Sequence, residues 1–139
     1  MINKENSKTI TFCLGGMLFE YDEWKNEYNI MHHGISFRQA ARVFFDYDRI
    51  EFYDEENSDM EDRYDTIGDL AAGHTNTLML GETVIGNAGS LSDKVNDIVF
   101  VVYTERVQTN DNGKREDVTR LISARLATDF ERGLYYGKC

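Results

Sequence analysis

The run Ile98-Val99-Phe100-Val101-Val102-Tyr103 constrains the fold more than any other stretch of this chain. All six residues are apolar or aromatic, and four of them are β-branched. A strand that is covered on both faces has such a continuous pattern, whereas a strand with one face in water alternates apolar and polar residues. We therefore predict that residues 98–103 form the central strand of a sheet.

Further strands are predicted on both sides of this run. The pair Asn112-Gly113 favours a hairpin turn, so residues 118–125 are predicted to return as a partner strand, with Val118, Ile122 and Ala124 on one side. Earlier in the chain, aromatic and charged residues alternate around a polar run within residues 46–69. This pattern predicts two strands joined by an acidic loop.

Residues 10–19, ITFCLGGMLF, are interpreted as a first hairpin with Gly15-Gly16 as its turn. Their length also fits the apolar segment of a signal peptide, but Glu5 dilutes the basic residues before them and no small-residue cleavage motif follows. No stretch approaches the roughly 20 apolar residues that a spanning helix needs. We therefore expect a soluble, cytoplasmic protein.

Two short helices are predicted after this hairpin. Asp22 is a suitable N-cap, Trp24, Tyr28 and Met31 form an apolar stripe at helical spacing, and Gly34 ends the pattern. The second helix begins at the capping box Ser36-x-x-Gln39. Another capping box, Thr128-x-x-Glu131, predicts a helix near the end of the chain that carries Phe130, Leu134 and Tyr135.

These elements predict an α+β fold with a mostly antiparallel sheet, two short N-terminal helices and one C-terminal helix. A chain of 139 residues has the size of one domain, so we expect a single domain over residues 1–139. Residues 70–97 are rich in Gly, Asn, Thr and Ser, and they are interpreted as an insertion with a small hairpin around Gly81-Glu82.

The negative charge of the chain is concentrated in one region. The formal net charge is -10, which opposes unassisted binding to polyanions. Residues 46–69 hold eleven acids and two bases, however, so the remainder is almost neutral. Because exposed charges act over only about 8 Å at physiological salt, a distant face can still bind RNA. The acidic region itself is interpreted as a solvated loop or as a docking surface for a basic partner.

Four blocks of the sequence resemble the BrnT family of type II toxin-antitoxin toxins, and their order and spacing agree over most of residues 19–136. The blocks are Phe19-Glu20-Tyr21-Asp22-x-x-Lys25-x-x-x-Asn29-x-x-x-His33-Gly34-Ile35-Ser36-Phe37-x-x-Ala40, Arg63-Tyr64-x-x-Ile67-Gly68, Val101-Val102-Tyr103-Thr104-Glu105-Arg106 and Arg120-Leu121-Ile122-Ser123-Ala124-Arg125-x-Ala127-x-x-x-x-Arg132-x-x-Tyr135. Residues 1–18 are an N-terminal extension relative to the family pattern, and residues 70–97 are longer than the hairpin expected there.

The resemblance implies a RelE-like fold and metal-independent cleavage of messenger RNA, which inhibits translation until a BrnA-like ribbon-helix-helix antitoxin binds the toxin. Such cleavage needs a base for the 2′-hydroxyl proton, cations for the phosphorane and an acid for the leaving oxygen. A second hypothesis is an inactive toxin-like domain that only binds the antitoxin and co-represses transcription.

Four residues are the candidates for catalysis. His33 lies in a matched block, and imidazole exchanges protons near neutral pH, although a histidine beside a glycine cap also interacts favourably with a helix C-terminus. Arg106 and Arg125 end two strands that the Asn112-Gly113 turn should pair, so we expect them to approach one phosphate, with Arg63 joining them. For each arginine, a structural ion pair with a carboxylate and a contact with the antitoxin are the alternatives.

Two further residues are candidates for RNA binding. Lys25 can bind phosphate, although a solvated helix face is the default for a lysine. Tyr135 can stack on a base, and packing inside the protein is the alternative. Cysteine and histidine residues show no ligand spacing, so no metal or other cofactor is expected.

Overall fold

A computed structural model describes residues 3–71 and 98–137 of the chain, which fold into strands and short helices. The strands of this part of the chain are β1 (Thr9–Leu14), β2 (Met17–Asp22), β3 (Ile50–Tyr53), β4 (Tyr64–Asp69), β5 (Ile98–Thr109) and β6 (Arg115–Leu126). Its α-helices are α1 (Glu23–His33), α2 (Phe37–Ala40) and α3 (Asp129–Tyr135). Short 3-10 turns span Lys4–Asn6 and Ala41–Phe45.

The six strands form one sheet in the order β1-β2-β6-β5-β4-β3. Strands β5 and β6 occupy its centre, which confirms the prediction for residues 98–103 and their partner strand. All neighbouring strands are antiparallel except β2 and β6, which run parallel. The predicted α+β class with a mostly antiparallel sheet is therefore confirmed.

A bulge interrupts the long ladder between β5 and β6. Leu121 pairs with Tyr103 and Ser123 pairs with Val102, so Ile122 is an extra residue on β6. The bulge reverses the alternation of side chains beyond it, because successive residues of a strand point to opposite faces. The prediction that Val118, Ile122 and Ala124 share one side is therefore wrong.

The N-terminal hairpin is an integral part of the sheet. Gly15 and Gly16 have φ values of 57° and 81°, a conformation that favours glycine, and they connect β1 to β2 as predicted. Strand β1 pairs with β2 along its whole length, from Thr9 to Leu14. The predicted N-terminal extension thus contributes the edge strand of the sheet.

The caps of α1 and α2 are as predicted. The Asp22 side chain accepts a hydrogen bond from the backbone N–H of Lys25, and Gly34 ends α1 in a left-handed conformation at φ 70°. Ser36 and Gln39 form both hydrogen bonds of a capping box at the start of α2. Residues 37–45 then supply buried apolar side chains to the core.

The predicted apolar stripe of α1 does not face the core. Tyr28 and Met31 are exposed, at 37% and 62% of their surface, whereas Asn29 is fully buried. The core is filled instead by residues of α2 and the following turn packed on the sheet. Its largest fully buried side chains include Phe19, Phe37, Val43, Val101 and Leu121. The spacing of the stripe residues therefore predicted the helix correctly, although Tyr28 and Met31 lie on its exposed side.

Helix α3 is held by polar contacts. Thr128 and Glu131 form the predicted capping box, and the Tyr135 hydroxyl donates a hydrogen bond of 2.6 Å to the Asp46 carboxylate. Phe130 is 76% exposed, so it does not anchor the helix. Most of the predicted insertion, including the hairpin around Gly81-Glu82, lies outside the described residues. Among the described helices, none has the length and apolar character needed to cross a membrane.

Candidate functional site

A groove of about 510 Å³ opens where the end of β2 and the start of α1 meet β6. The parallel pairing of β2 with β6 forms it, because Glu20 and Tyr21 lie beside Arg120 and Leu121 and the chain then turns into α1. The residues that line the groove are Lys4, Asp22, Trp24, Lys25, Arg63, Arg120, Leu121, Ile122 and Ser123.

Positive charge dominates this groove in an otherwise acidic chain. Its charged lining consists of four cations, Lys4, Lys25, Arg63 and Arg120, and one carboxylate, Asp22. The Asp22 carboxylate already accepts hydrogen bonds from the Ser7 hydroxyl and from the backbone N–H of Lys25. It therefore serves as the cap of α1 and cannot balance four cations. The groove is suited to an anion.

Two glutamates link three arginines beside the groove. Glu20 Oε2 lies 2.9 Å from Arg120 Nη1 and 3.7 Å from Arg106 Nη1. Glu61 lies 3.1 Å from Arg106 Nη2 and 3.6 Å from Arg63 Nη2. The result is a chain of alternating charge in the order Arg120, Glu20, Arg106, Glu61, Arg63. These contacts hold Arg63 and Arg120 in place at the groove, and the three arginines and two glutamates together leave one net positive charge.

The guanidinium groups of the groove retain hydrogen-bonding capacity. An arginine has five N–H donors. Arg120 contacts both Glu20 and Thr9 through the same atom, Nη1. Arg63 Nε is buried without a hydrogen-bond partner. A different nitrogen of Arg63, Nη2, lies 3.6 Å from Glu61, which is a long contact. A buried N–H of this kind is costly unless a ligand or water accepts its hydrogen bond.

Only two of the six predicted site residues line the groove. Lys25 and Arg63 do so, and Arg106 contacts the glutamates behind it. The expectation that Arg106 and Arg125 approach one phosphate is wrong. In the ladder Arg106 pairs with Val118, and Arg125 pairs with Phe100. Phe100 and Arg106 are six residues apart along β5, so the backbones of the two arginines lie about 20 Å apart. Their roles toward RNA stay predictions.

Arg125 makes a structural ion pair. Its Nη1 and Nη2 donate to the two carboxylate oxygens of Glu131 at 2.7 and 2.9 Å, and its guanidinium lies over the Phe100 ring. The hydrogen bonds to Glu131 raise the pKa of Arg125. Burial acts against the charge of Glu131, but the bond from Arg125 is among the contacts that lower the pKa of Glu131.

His33 and Tyr135 also lie away from the groove. His33 is the exposed last residue of α1, eight residues after Lys25, which corresponds to about 12 Å along the helix. The Tyr135 hydroxyl is occupied by Asp46, and burial together with this bond raises the pKa of Tyr135. Proton transfer by His33 and base stacking by Tyr135 therefore remain predictions without a contact to the groove.

Sequence reasoning missed four residues at or behind the groove: Lys4, Glu20, Trp24 and Arg120. Glu20 and Arg120 lie inside the matched blocks, which was the available signal. Their juxtaposition depends on the parallel pairing of β2 with β6, two segments separated by about a hundred residues. Nothing in the local pattern of either strand predicts that pairing.

Two buried carboxyl groups form a second cluster at the acidic loop. Asp54 accepts hydrogen bonds from the backbone and side chain of Asn57. Burial acts against the charge of Asp54, but these bonds, a hydrogen bond with Asp65 and the charge of Arg63 together lower the pKa of Asp54. Burial, reinforced by Asp54, raises the pKa of Asp65 to about 7. The Asp65 Oδ1 atom has no hydrogen-bond partner. Asp65 is thus poised to hold a proton near neutral pH.

Comparison with known proteins places part of the chain in a known family model. No curated protein matches the chain. The family model for "Ribonuclease toxin, BrnT, of type II toxin-antitoxin system" matches residues 21–84. This stretch includes α1 and four residues of the groove lining: Asp22, Trp24, Lys25 and Arg63. Over residues 21–84, therefore, this chain matches the BrnT family of ribonuclease toxins from type II toxin-antitoxin systems, as its sequence motifs predicted.

Proposed function

We propose that this protein is an endoribonuclease toxin that cleaves messenger RNA without a metal ion and inhibits translation until its antitoxin binds. The cationic groove is the observation that carries the proposal. Four cations face one carboxylate there, although the whole chain has a formal net charge of -10. A polyanion is the natural ligand of such a groove, and the matched family consists of ribonuclease toxins.

In this proposal Arg63 and Arg120 bind the scissile phosphate. Guanidinium groups suit this role because their planar fork contacts two phosphate oxygens and their charge persists at all relevant pH values. Their ion pairs with Glu61 and Glu20 limit their motion, so the donors are oriented before RNA arrives. Oriented cations stabilise the phosphorane at little reorganisation cost, and Lys4 and Lys25 add positive charge at the same groove.

Glu20 is the proposed general base. Its carboxylate contacts Arg120 at 2.9 Å, next to the phosphate site, and its side chain is only 12% exposed. It accepts the proton of the 2′-hydroxyl while the 2′-oxygen bonds to phosphorus and the bond from phosphorus to the 5′-oxygen breaks. A second proton, from Lys4, Lys25 or water, is transferred to the leaving 5′-oxygen. The products are a 2′,3′-cyclic phosphate and a 5′-hydroxyl end.

The test is cleavage of a defined RNA by the purified chain in the presence of EDTA. We expect 2′,3′-cyclic phosphate ends, and we expect Arg120→Lys and Arg63→Lys to slow cleavage at least tenfold, because lysine lacks the bidentate fork. Arg115→Lys is the matched control, since Arg115 is exposed on β6 away from the groove. Intact RNA at high protein concentration would contradict the proposal.

An inactive, antitoxin-binding domain is the second candidate function. It is favoured by the fact that Arg63, Arg106, Arg120 and Arg125 all contact a carboxylate. In this second interpretation the ion pairs of these arginines only stabilise the fold, and the protein does not cleave RNA. The two candidates differ in one readout, because only the first releases cyclic phosphate ends.

The proposed antitoxin is a BrnA-like ribbon-helix-helix protein. A DNA-binding partner of this kind is basic, which matches the exposed acidic residues of the loop between β3 and β4. Glu55 and Glu56 are exposed there, whereas Asp54 is buried and bonded to Asn57. The surface offered to the partner is therefore the outer part of this loop.

A further inference from the structure

Three rings stack along the outside of α1. Trp24, Tyr28 and His32 follow one another at every fourth position, which places them on one face of the helix. The centroids of Trp24 and Tyr28 are 5.6 Å apart, and those of Tyr28 and His32 are 4.0 Å apart, with interplanar angles of 30° and 22°. His32 Nδ1 also lies 3.0 Å from the Tyr28 carbonyl oxygen, which fixes its ring.

Cations flank this ring column. Lys25 Nζ lies 4.8 Å from the centroid of the Tyr28 ring, and Lys4 Nζ lies 5.3 Å from the centroid of the Trp24 ring. Trp24, Lys4 and Lys25 all line the groove, so the column begins inside it. Cationic side chains that can bind phosphate and the faces of aromatic rings thus follow one another, from Arg63 and Arg120 in the groove to the rings along α1.

We propose that the groove and the ring column together recognise single-stranded RNA, with an unpaired base stacked on Trp24. This inference rests on the proposed function and adds Trp24 as a residue that binds an unpaired base of the RNA. Alternating cations and aromatic faces bind single strands because successive phosphates pair with the cations while bases stack on the rings. An acidic peptide would pair with the cations, but its carboxylate side chains would not stack on the rings of the column.

The ammonium group of Lys4 marks the position of the base. A cation and a base are alternative occupants of a ring face, because both are attracted to its π-electrons. A base entering the groove takes the face of Trp24 that Lys4 covers, and the released ammonium group pairs with the adjacent phosphate. In a duplex each base face is covered by its neighbours in the stack, so double-stranded RNA offers nothing to Trp24.

The chain carries its own probe for this contact, because Trp24 is its only tryptophan. The experiment titrates the full chain with an RNA oligonucleotide that is 2′-O-methylated throughout, which removes the 2′-hydroxyl and prevents cleavage. We expect tryptophan fluorescence to be quenched by the single strand and not by its duplex. Trp24→Ala should weaken binding, followed by anisotropy of a labelled strand, by about tenfold, and Trp24→Phe should retain most of it.

Tyr47→Ala is the matched control, because Tyr47 is an aromatic residue that is 95% exposed outside the groove. Equal quenching by duplex, unchanged affinity in Trp24→Ala, or equally effective competition by polyglutamate would overturn the inference. If Trp24→Ala fails to fold, Trp24→Phe and the quenching of the unmodified chain still decide the question.

Failure of this inference and failure of the proposed function give different results. Quenching by the methylated single strand without cleavage of ordinary RNA would remove the ribonuclease proposal and leave single-strand recognition intact. Cleavage of single-stranded and duplex RNA at equal rates would leave the ribonuclease proposal intact and refute recognition through Trp24.

Discussion

Arg125 and Glu131 join the central strand β6 to helix α3 through two parallel hydrogen bonds of 2.7 and 2.9 Å. The same Glu131 carboxylate accepts a hydrogen bond from the backbone N–H of Thr128, so one side chain both caps the helix and attaches it to the sheet. Arg125 belongs to a matched sequence block, yet its contacts are those of a structural residue.

The first prediction concerns this pair. Arg125→Gln should lower the free energy of unfolding by about 1 kcal/mol, because it removes a partly exposed bidentate ion pair. Glu131→Gln keeps the cap to Thr128 and should cost a similar amount, and the double variant should cost little more than either. The measurement is urea unfolding. Loss of RNA cleavage in a fully stable Arg125→Gln protein would instead assign Arg125 to catalysis.

The second prediction is a pH-dependent stability at Asp65. Its pKa is raised from 3.8 to about 7 in the folded chain by burial and by Asp54, so the native state binds more protons than the unfolded state between these values. Stability should therefore fall as pH rises from about 4 to about 7 and then level off.

Asp65→Asn removes the free energy that ionising the buried Asp65 carboxyl group costs the folded state. We expect a gain of about 4 kcal/mol at pH 8, and about half of that at pH 5.5, in urea unfolding. The neighbouring charges of Arg125 and Glu131 are unchanged in this variant, and Asp59→Asn at an exposed position of the same loop is the control. An equal gain at both pH values, or none, would show that Asp65 is ionised throughout.

The third prediction distinguishes the roles of Glu20 and Glu61, the two glutamates that form ion pairs with Arg63, Arg106 and Arg120. Glu20→Gln should reduce RNA cleavage by about 10²-fold or more if Glu20 is the general base. Glu61→Gln breaks an equivalent contact to Arg106 and should have a several-fold effect at most. Single-turnover rates measured from pH 5 to 9 are the readout. Equal losses in both variants would reduce Glu20 to a positioning residue.

The fourth prediction tests the packing between β4 and the turn that follows α2. A Cβ atom added at Gly68 would lie 2.9 Å from the Cβ of Val43, which is fully buried. Gly68→Ala should therefore destabilise the fold by about 1 to 3 kcal/mol through overpacking. Gly113→Ala is a useful contrast, because its added Cβ meets open space and only its positive φ is strained. Thermal unfolding of both variants measures the difference.

The fifth prediction concerns the acidic loop. The double variant Glu55→Lys, Glu56→Lys should weaken binding of a basic antitoxin at low salt, and the difference from the unmodified chain should shrink as salt is raised, since both residues are exposed. Glu5→Lys provides a charge-matched control outside the loop. Affinities measured by calorimetry at two salt concentrations check this. Unchanged affinity at low salt would leave the loop with a purely solvating role.

The sequence by itself determined the local elements. Asp22, Gly34 and the capping boxes at Ser36 and Thr128 set the helix ends, because the residues at a cap bond to backbone groups only a few positions away. The apolar run of β5 likewise identified a strand at the centre of the sheet, since only a strand covered on both faces tolerates such a run.

The tertiary structure alone decided which side chains meet. The parallel pairing of β2 with β6 brings Glu20 to Arg120, and the antiparallel register of β5 with β6 separates Arg106 from Arg125. Both depend on strand register and on the bulge at Ile122, which a local pattern does not encode because long-range pairing is chosen by packing of the whole sheet. The sequence alone identified Lys25 and Arg63 as candidates, but it did not show which residues lie beside them.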